Sequence, residues 1–291
     1  MENENKLSRR NLLQSVGAAV TVGALGTSEM QDRPEAASTP PGGAGGTPRV
    51  LALIGDRYHN SDYIRVSLDR LFGELGLPVD YTTNYDHLSR SLLAGYQLFV
   101  CFRDGMIWPG GYLGPDAYPY EQYLENRSDF PKATPKTWIT QEQGEAVKDF
   151  VAAGNAFYSL HNNSHVSLSS KSYREVMGGA YIGHPPQRPF KVRVVRKDHP
   201  ITQGVQDFMV NDEQHYVTYD KDPNNIILRA ENIDGLSYEN LGTGSISGWA
   251  HEYGKGRVVF TAVGHNIHAM WQAEYLKVQK NAVKWLLKNS G

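Results

Sequence analysis

The chain has 291 residues, 40% hydrophobic and 21% charged, with a formal net charge of -2. That length allows one large domain whose core needs no covalent staples, and the lone cysteine, Cys101, excludes an intramolecular disulfide. A charge this near balance gives no reason to expect a nucleic-acid or polyanion partner.

The first segment reads as an address. Lys6, Arg9 and Arg10 precede a weakly apolar run that reaches about Gly26, the order of a signal peptide. The run is too short and too rich in glycine for a membrane span. Ser8-Arg9-Arg10-Asn11-Leu12-Leu13 resembles the twin-arginine export motif, with Gln14 where that motif often has Lys. Residues 1–26 are therefore expected to be a twin-arginine-type leader, either cut at the small-x-small site Ala24-Leu25-Gly26 or kept as an uncleaved anchor, and the protein to be periplasmic or extracellular. Residues 27–48 are Pro, Gly, Ala, Ser and Thr with few large apolar side chains, the composition of a disordered linker.

Residues 49–291 read as one α/β domain. Arg49 to Gly55 is a continuous apolar run ending in Gly, as in a strand buried on both faces. Ser61 can cap a helix to about Leu75, with Ile64, Leu68, Leu71, Phe72 and Leu75 on one stripe. Leu77–Tyr81 and Gln97–Phe102 follow as strands. The stretch from Arg103 to Lys136 is irregular and rich in Tyr, Pro and Gly, and a loop of that length is usually a lid or a binding wall. Thr140 caps a helix through Ala152, and Asn155–Leu160 is the next strand. A helix ends near Gly178-Gly179, and strands follow at Phe190–Val195, Asn225–Arg229, Ser245–His251 and Arg257–Ala262. A last helix runs from about Ala273 to Lys288. Strand-helix alternation of this kind predicts a mostly parallel sheet with helices on both faces.

In such sheets the ligand crevice lies beyond the carboxyl ends of the strands. His59, His161 and His265 each follow a predicted strand within a few residues, and His268 lies three further on. One histidine so placed is more often a hydrogen-bonded structural residue. Several at one sheet edge point to metal ligation or to acid/base work at neutral pH. Asn211-Asp212-Glu213-Gln214-His215 adds two carboxylates and an imidazole in an expected loop. No His-Glu-x-x-His, Gly-x-Ser-x-Gly or phosphate-loop motif occurs. Cys101 sits in an apolar strand, where an inert buried thiol is expected.

Several motifs together resemble one family: Gly178-Gly179-Ala180-Tyr181-Ile182-Gly183-His184-Pro185, Asp198-His199-Pro200-Ile201-Thr202, Asn211-Asp212-Glu213, and Trp249 with Tyr253-Gly254-Lys255-Gly256-Arg257-Val258 through Gly264-His265. This set resembles the ThuA-like family, named for trehalose utilisation, over residues 49–291. The resemblance implies a flavodoxin-like, class I glutamine amidotransferase-like fold and a role in carbohydrate metabolism. In amidotransferases a cysteine nucleophile follows the strand matching Phe157–Leu160. Here that turn reads Leu160-His161-Asn162, so glutaminase activity is expected to be absent.

Two readings stay open. In the first, the chain is a lyase or hydrolase of a keto-sugar or glycoside, with His161, Asn162, Glu213 and His265 catalytic. His59, Trp108, Tyr112, His184, Asp212, His215 and His268 would then contact substrate. Either a divalent metal such as zinc on His59, His161 and His265 or, with no cofactor, His161 and Asn162 would polarise a sugar carbonyl. In the second, the chain is a non-catalytic carbohydrate-binding protein that kept the fold after losing the thiol. Either way the expected partner is a small carbohydrate, with no nucleic acid and no membrane span beyond the leader.

Overall fold

The computed structural model describes residue 47, residues 49–109 and residues 134–288. The leader and linker expectations, and Tyr112, lie outside them. Among the described residues no helix is long and apolar enough to cross a membrane.

The first strand, β1 (Val50–Ile54), leads through the turn that carries His59 into α1 (Ser61–Leu75). Asn60, not Ser61, caps α1 by accepting from the Asp62 N–H, and Gly76 ends it at φ 67°. The expected stripe is inward: Ile64, Leu68, Leu71 and Phe72 are buried, each contributing about 1.5–3 kcal/mol. Then follow β2 (Val79–Thr82), a single turn α2 (Arg90–Leu93) and β3 (Leu98–Phe102). A short ribbon of β4 (Met106–Ile107) and β5 (Lys136–Thr137) brackets the undescribed stretch. Helix α3 (Gln141–Ala152) starts in a reciprocal capping box between Thr140 and Gln143. It leads into β6 (Ala156–Leu160), a 3-10 segment (His161–Leu168) and α4 (Lys171–Met177).

Six strands follow: β7 (Gly179–Gly183), β8 (Arg188–Val194), β9 (Phe208–Asp212), β10 (Tyr216–Tyr219), β11 (Ile226–Glu231) and β12 (Gly244–Tyr253). The chain closes with β13 (Gly256–Thr261), the turn α5 (Ile267–Met270) and α6 (Ala273–Leu287).

Nine strands form one sheet in the order β2-β1-β3-β6-β13-β12-β11-β8-β9. From β2 to β13 every pairing is parallel. From β13 to β9 every pairing is antiparallel. The parallel expectation thus describes the half of the sheet fed by helical crossovers; the other half is built of hairpins, which need no helix between strands.

Period-2 alternation divides the core. Val50, Ala52 and Ile54 of β1 face one layer with α1 and α6, while Leu51 and Leu53 face a second with α3 and α4. Helices therefore cover both faces, and β1, β3 and β6 are buried throughout, as their unbroken apolar runs require.

Candidate functional site

Loops after four neighbouring parallel strands meet at one sheet edge: His59 after β1, Asp104 after β3, His161 and Asn162 after β6, and His265 after β13. A separate antiparallel ribbon of β7 and β10 adds to this edge. Its register pairs Gly183 with Tyr216, so the residues just beyond that pair, His184 and His215, come together with ring centroids 5.1 Å apart. A cavity of about 690 Å³ results, lined by His59, Asn162, His184, Glu213, His215 and His265, with Tyr58, Trp108, Tyr181, Asp104 and His165 among its walls. Volumes of this order suit a small organic ligand.

Glu213 is the centre of the site. Its Oε2 lies 3.1 Å from Nδ1 of His265 and 3.5 Å from Nε2 of His161, His184 and His215. Nε2 of His59 is 3.1 Å from Nδ1 of His265. Burial works to raise the Glu213 carboxyl, but His161, His215 and His265 outweigh it and hold it well below the carboxylate range.

The far nitrogens of several rings are already committed. Nδ1 of His59 lies 2.9 Å from Asp56 Oδ1, Nδ1 of His161 lies 2.6 Å from the Ala262 carbonyl, and Nδ1 of His184 lies 2.9 Å from the Pro185 carbonyl. Carbonyl oxygens only accept, so Nδ1 of His161 and of His184 carries the proton and their Nε2 atoms face the site, while His59 Nδ1 lies both 2.9 Å from Asp56 Oδ1 and 2.7 Å from the Asn162 amide nitrogen. Burial pushes the imidazoles of His161 and His215 below their ordinary range, which favours neutral rings. His161 Nε2 is buried, lacks a hydrogen-bond partner and points towards Glu213. The His161 Nε2 to Glu213 contact at 3.5 Å is favourable when a proton or a cation bridges the two atoms and repulsive when neither does.

The backbone is arranged to bring these rings close. His161 adopts φ 51° on the sharp turn after β6, a region that costs a non-glycine residue about 1–3 kcal/mol and clusters at functional sites. Gly264 allows the approach: a Cβ there would sit 2.7 Å from His161 Cβ and 2.9 Å from Phe102 Cζ.

Behind the rings, Asp212 is fully buried and accepts from the backbone N–H groups of Gly264 (2.6 Å) and His265 (2.9 Å). It fixes the turn carrying His265 and does not line the cavity. Asp56 accepts from the Asn162 amide at 2.9 Å and the Asp104 N–H at 2.8 Å. Burial opposes its charge, but His59 and these donors hold it below the carboxylate range. Asp104 differs: burial, aided by the Asp56 charge, pushes its carboxyl up to about 7, and His165 Nδ1 stands 3.7 Å away.

Of the residues singled out in the sequence, His59, Trp108, Asn162, His184, Glu213, His215 and His265 line the cavity, and His161 lies directly beneath it. His268 is exposed on α5 and stays off the lining. Asp56, Asp104, His165, Tyr58 and Tyr181 escaped sequence reasoning. The position of Asp56 and Asp104 just after β1 and β3 was the available signal, since their neighbours at the same edge are histidines. Cys101 is buried in β3, where burial pushes its thiol up to about 12, and it takes no part in the cavity.

A family model described as ThuA, trehalose utilisation, matches residues 49–286. The chain belongs to the ThuA family. Among solved structures, a protein described as ThuA-like from Bacteroides uniformis superposes with TM-score 0.57 at 13% identity, covering 86% of this chain and 96% of that one. A second, from Parabacteroides merdae, gives TM-score 0.56 at 15% identity, covering 83% and 90%. A cold-adapted β-galactosidase from Rahnella sp. R3 gives TM-score 0.50 at 12% identity; 84% of this ThuA-family chain aligns with 31% of that protein. At these identities the likeness is one of fold. No curated protein matches the sequence.

Proposed function

We propose that this ThuA-family chain is a metal-dependent lyase or hydrolase acting on a sugar, keto-sugar or glycoside. The observation that supports this best is the set His59, His161, His265 and Glu213, whose ligand atoms all lie within 4.8 Å of one another. Three imidazoles and a carboxylate are the donor chemistry of zinc and similar divalent ions. The oxygens holding Nδ1 of His59 and His161 are the outer-shell partners such ligands commonly have. A divalent ion held there would polarise a sugar carbonyl or acidify a bound hydroxyl.

The chain's own residues supply the rest. Tyr58, Trp108 and Tyr181 give the cavity aromatic walls suited to a sugar, and the Tyr58 and Trp108 rings pack edge to face at 5.5 Å. Asp104, titrating near neutrality in the cavity wall, is placed to exchange a proton with a substrate oxygen or an acidic C–H. Glu213, held ionised by its imidazoles, is a weak base and a good ligand, so proton transfer in this reading moves from Glu213 to Asp104. His161 occupies the sharp turn where an amidotransferase-like fold would present a thiol, so glutaminase chemistry has no nucleophile here.

The test pairs elemental analysis with turnover. Purified wild type is expected to carry divalent metal that falls in His161→Ala and His265→Ala. It is also expected to cleave members of a panel of glycosides and keto-glycosides that the variants bind but do not turn over. Binding without turnover by the metal-loaded wild type across the panel would favour the carbohydrate-binding reading instead.

A further inference from the structure

The donors around Glu213 are too many and too widely spread for one ion. They fall into two groups, each within 4.8 Å, that share only Glu213: His59, His161, His265 and Glu213 on one side, His184, Glu213 and His215 on the other. Six donors in two such groups exceed the four-coordinate sphere usual for zinc.

We propose that Glu213 bridges two divalent cations, the second held by His184 and His215 on the β7–β10 side of the cavity. This rests on the reading of the first group as a metal site. Three further observations carry it. The Pro185 carbonyl at 2.9 Å from Nδ1 fixes the His184 tautomer and leaves Nε2 free to face Glu213, the same arrangement that Ala262 imposes on His161. The His215 side chain is buried, and its Nε2 also faces Glu213 at 3.5 Å. The β7–β10 register holds these two rings stacked, with an interplanar angle of 20°, and His215 stacks in turn on His161 at 4.1 Å with an angle of 24°. The two groups are thus packed as one rigid body about a common carboxylate.

With only three protein donors, the second ion keeps open positions towards the cavity. A substrate bearing two neighbouring oxygens, such as a hydroxy-ketone of a sugar, has the chemistry to span both ions.

The test is the zinc and cobalt stoichiometry of the full chain, with folding followed by circular dichroism. Wild type is expected to take two equivalents of Zn²⁺. His184→Ala, and the milder His184→Gln, should take one. His161→Ala should lose the first-group ion, and Glu213→Gln should lose both. With Co²⁺, two ions joined by one carboxylate should show magnetic exchange in wild type that disappears in the His184 variants. One equivalent in wild type, unchanged by His184→Ala, would overturn the second site and leave the first standing. One equivalent lost on His184→Ala yet kept in His161→Ala would overturn the bridged pair in favour of a single ion on His184 and His215. No binding to any form would overturn both readings.

Discussion

Nε2 of His59 lies 3.1 Å from Nδ1 of His265, across 206 residues of sequence. Two imidazole nitrogens at that separation share a proton or face a common cation. Asp56 decides which nitrogen of His59 takes part, because it occupies Nδ1 at 2.9 Å. Asp56→Asn keeps one acceptor but weakens this hold. Zinc affinity, measured by competition with a chromophoric chelator, should fall about 10–100-fold. An unchanged affinity would remove Asp56 as the orienting group.

Gly264→Ala tests the close approach behind the site. The new methyl would meet His161 Cβ at 2.7 Å and Phe102 Cζ at 2.9 Å, and both neighbours are buried. Overpacking of this kind costs about 1–3 kcal/mol. Denaturant unfolding should show a loss of that size, with weaker metal binding as the His161 ring is displaced. Unaltered stability would mean that the turn gives way cheaply.

Asp104 should give the fold a pH dependence opposite to that of an ordinary carboxylate. Its folded value of about 7 lies above the ordinary 3.8, so between these values the folded state binds the proton and the unfolded state does not. The stabilisation is complete below pH 3.8 and is lost as pH rises through 7. Asp104→Asn carries no such dependence. Its melting temperature relative to wild type should therefore climb between about pH 4 and pH 7 and level off above. A constant difference across that range would show that Asp104 is not a raised carboxyl.

Acid should strip the metal. Imidazoles coordinate only when unprotonated, and their ordinary pKa is about 6.5. Bound zinc should be released as pH falls through and below that range, reversibly on neutralisation. Zinc retained well below it would count against His59, His161 and His265 as ligands.

The leader carries its own test. If Arg9 and Arg10 form a twin-arginine signal, Arg9→Lys with Arg10→Lys should move the protein from the periplasmic to the cytoplasmic fraction of an expressing bacterium. Export that survives the double replacement would assign the segment to another route.

The sequence by itself determined the strands and helices that feed the parallel half of the sheet, because burial on both faces leaves unbroken apolar runs and burial on one face leaves a helical stripe. It also determined that His59, His161 and His265 share an edge, since each follows a strand and parallel strands end on the same side. Tertiary structure alone decided what those histidines surround. Glu213, His184 and His215 arrive from the β7–β10 ribbon and the antiparallel half, where the alternation of β8 and β9 marks the strands but does not say which strands they pair with. Asp212 and Glu213 are neighbours in sequence, yet one is buried against two backbone N–H groups and the other is ringed by imidazoles. Side chains alternate direction where β9 ends, and what lies on each side is set by long-range pairing, which no local pattern encodes.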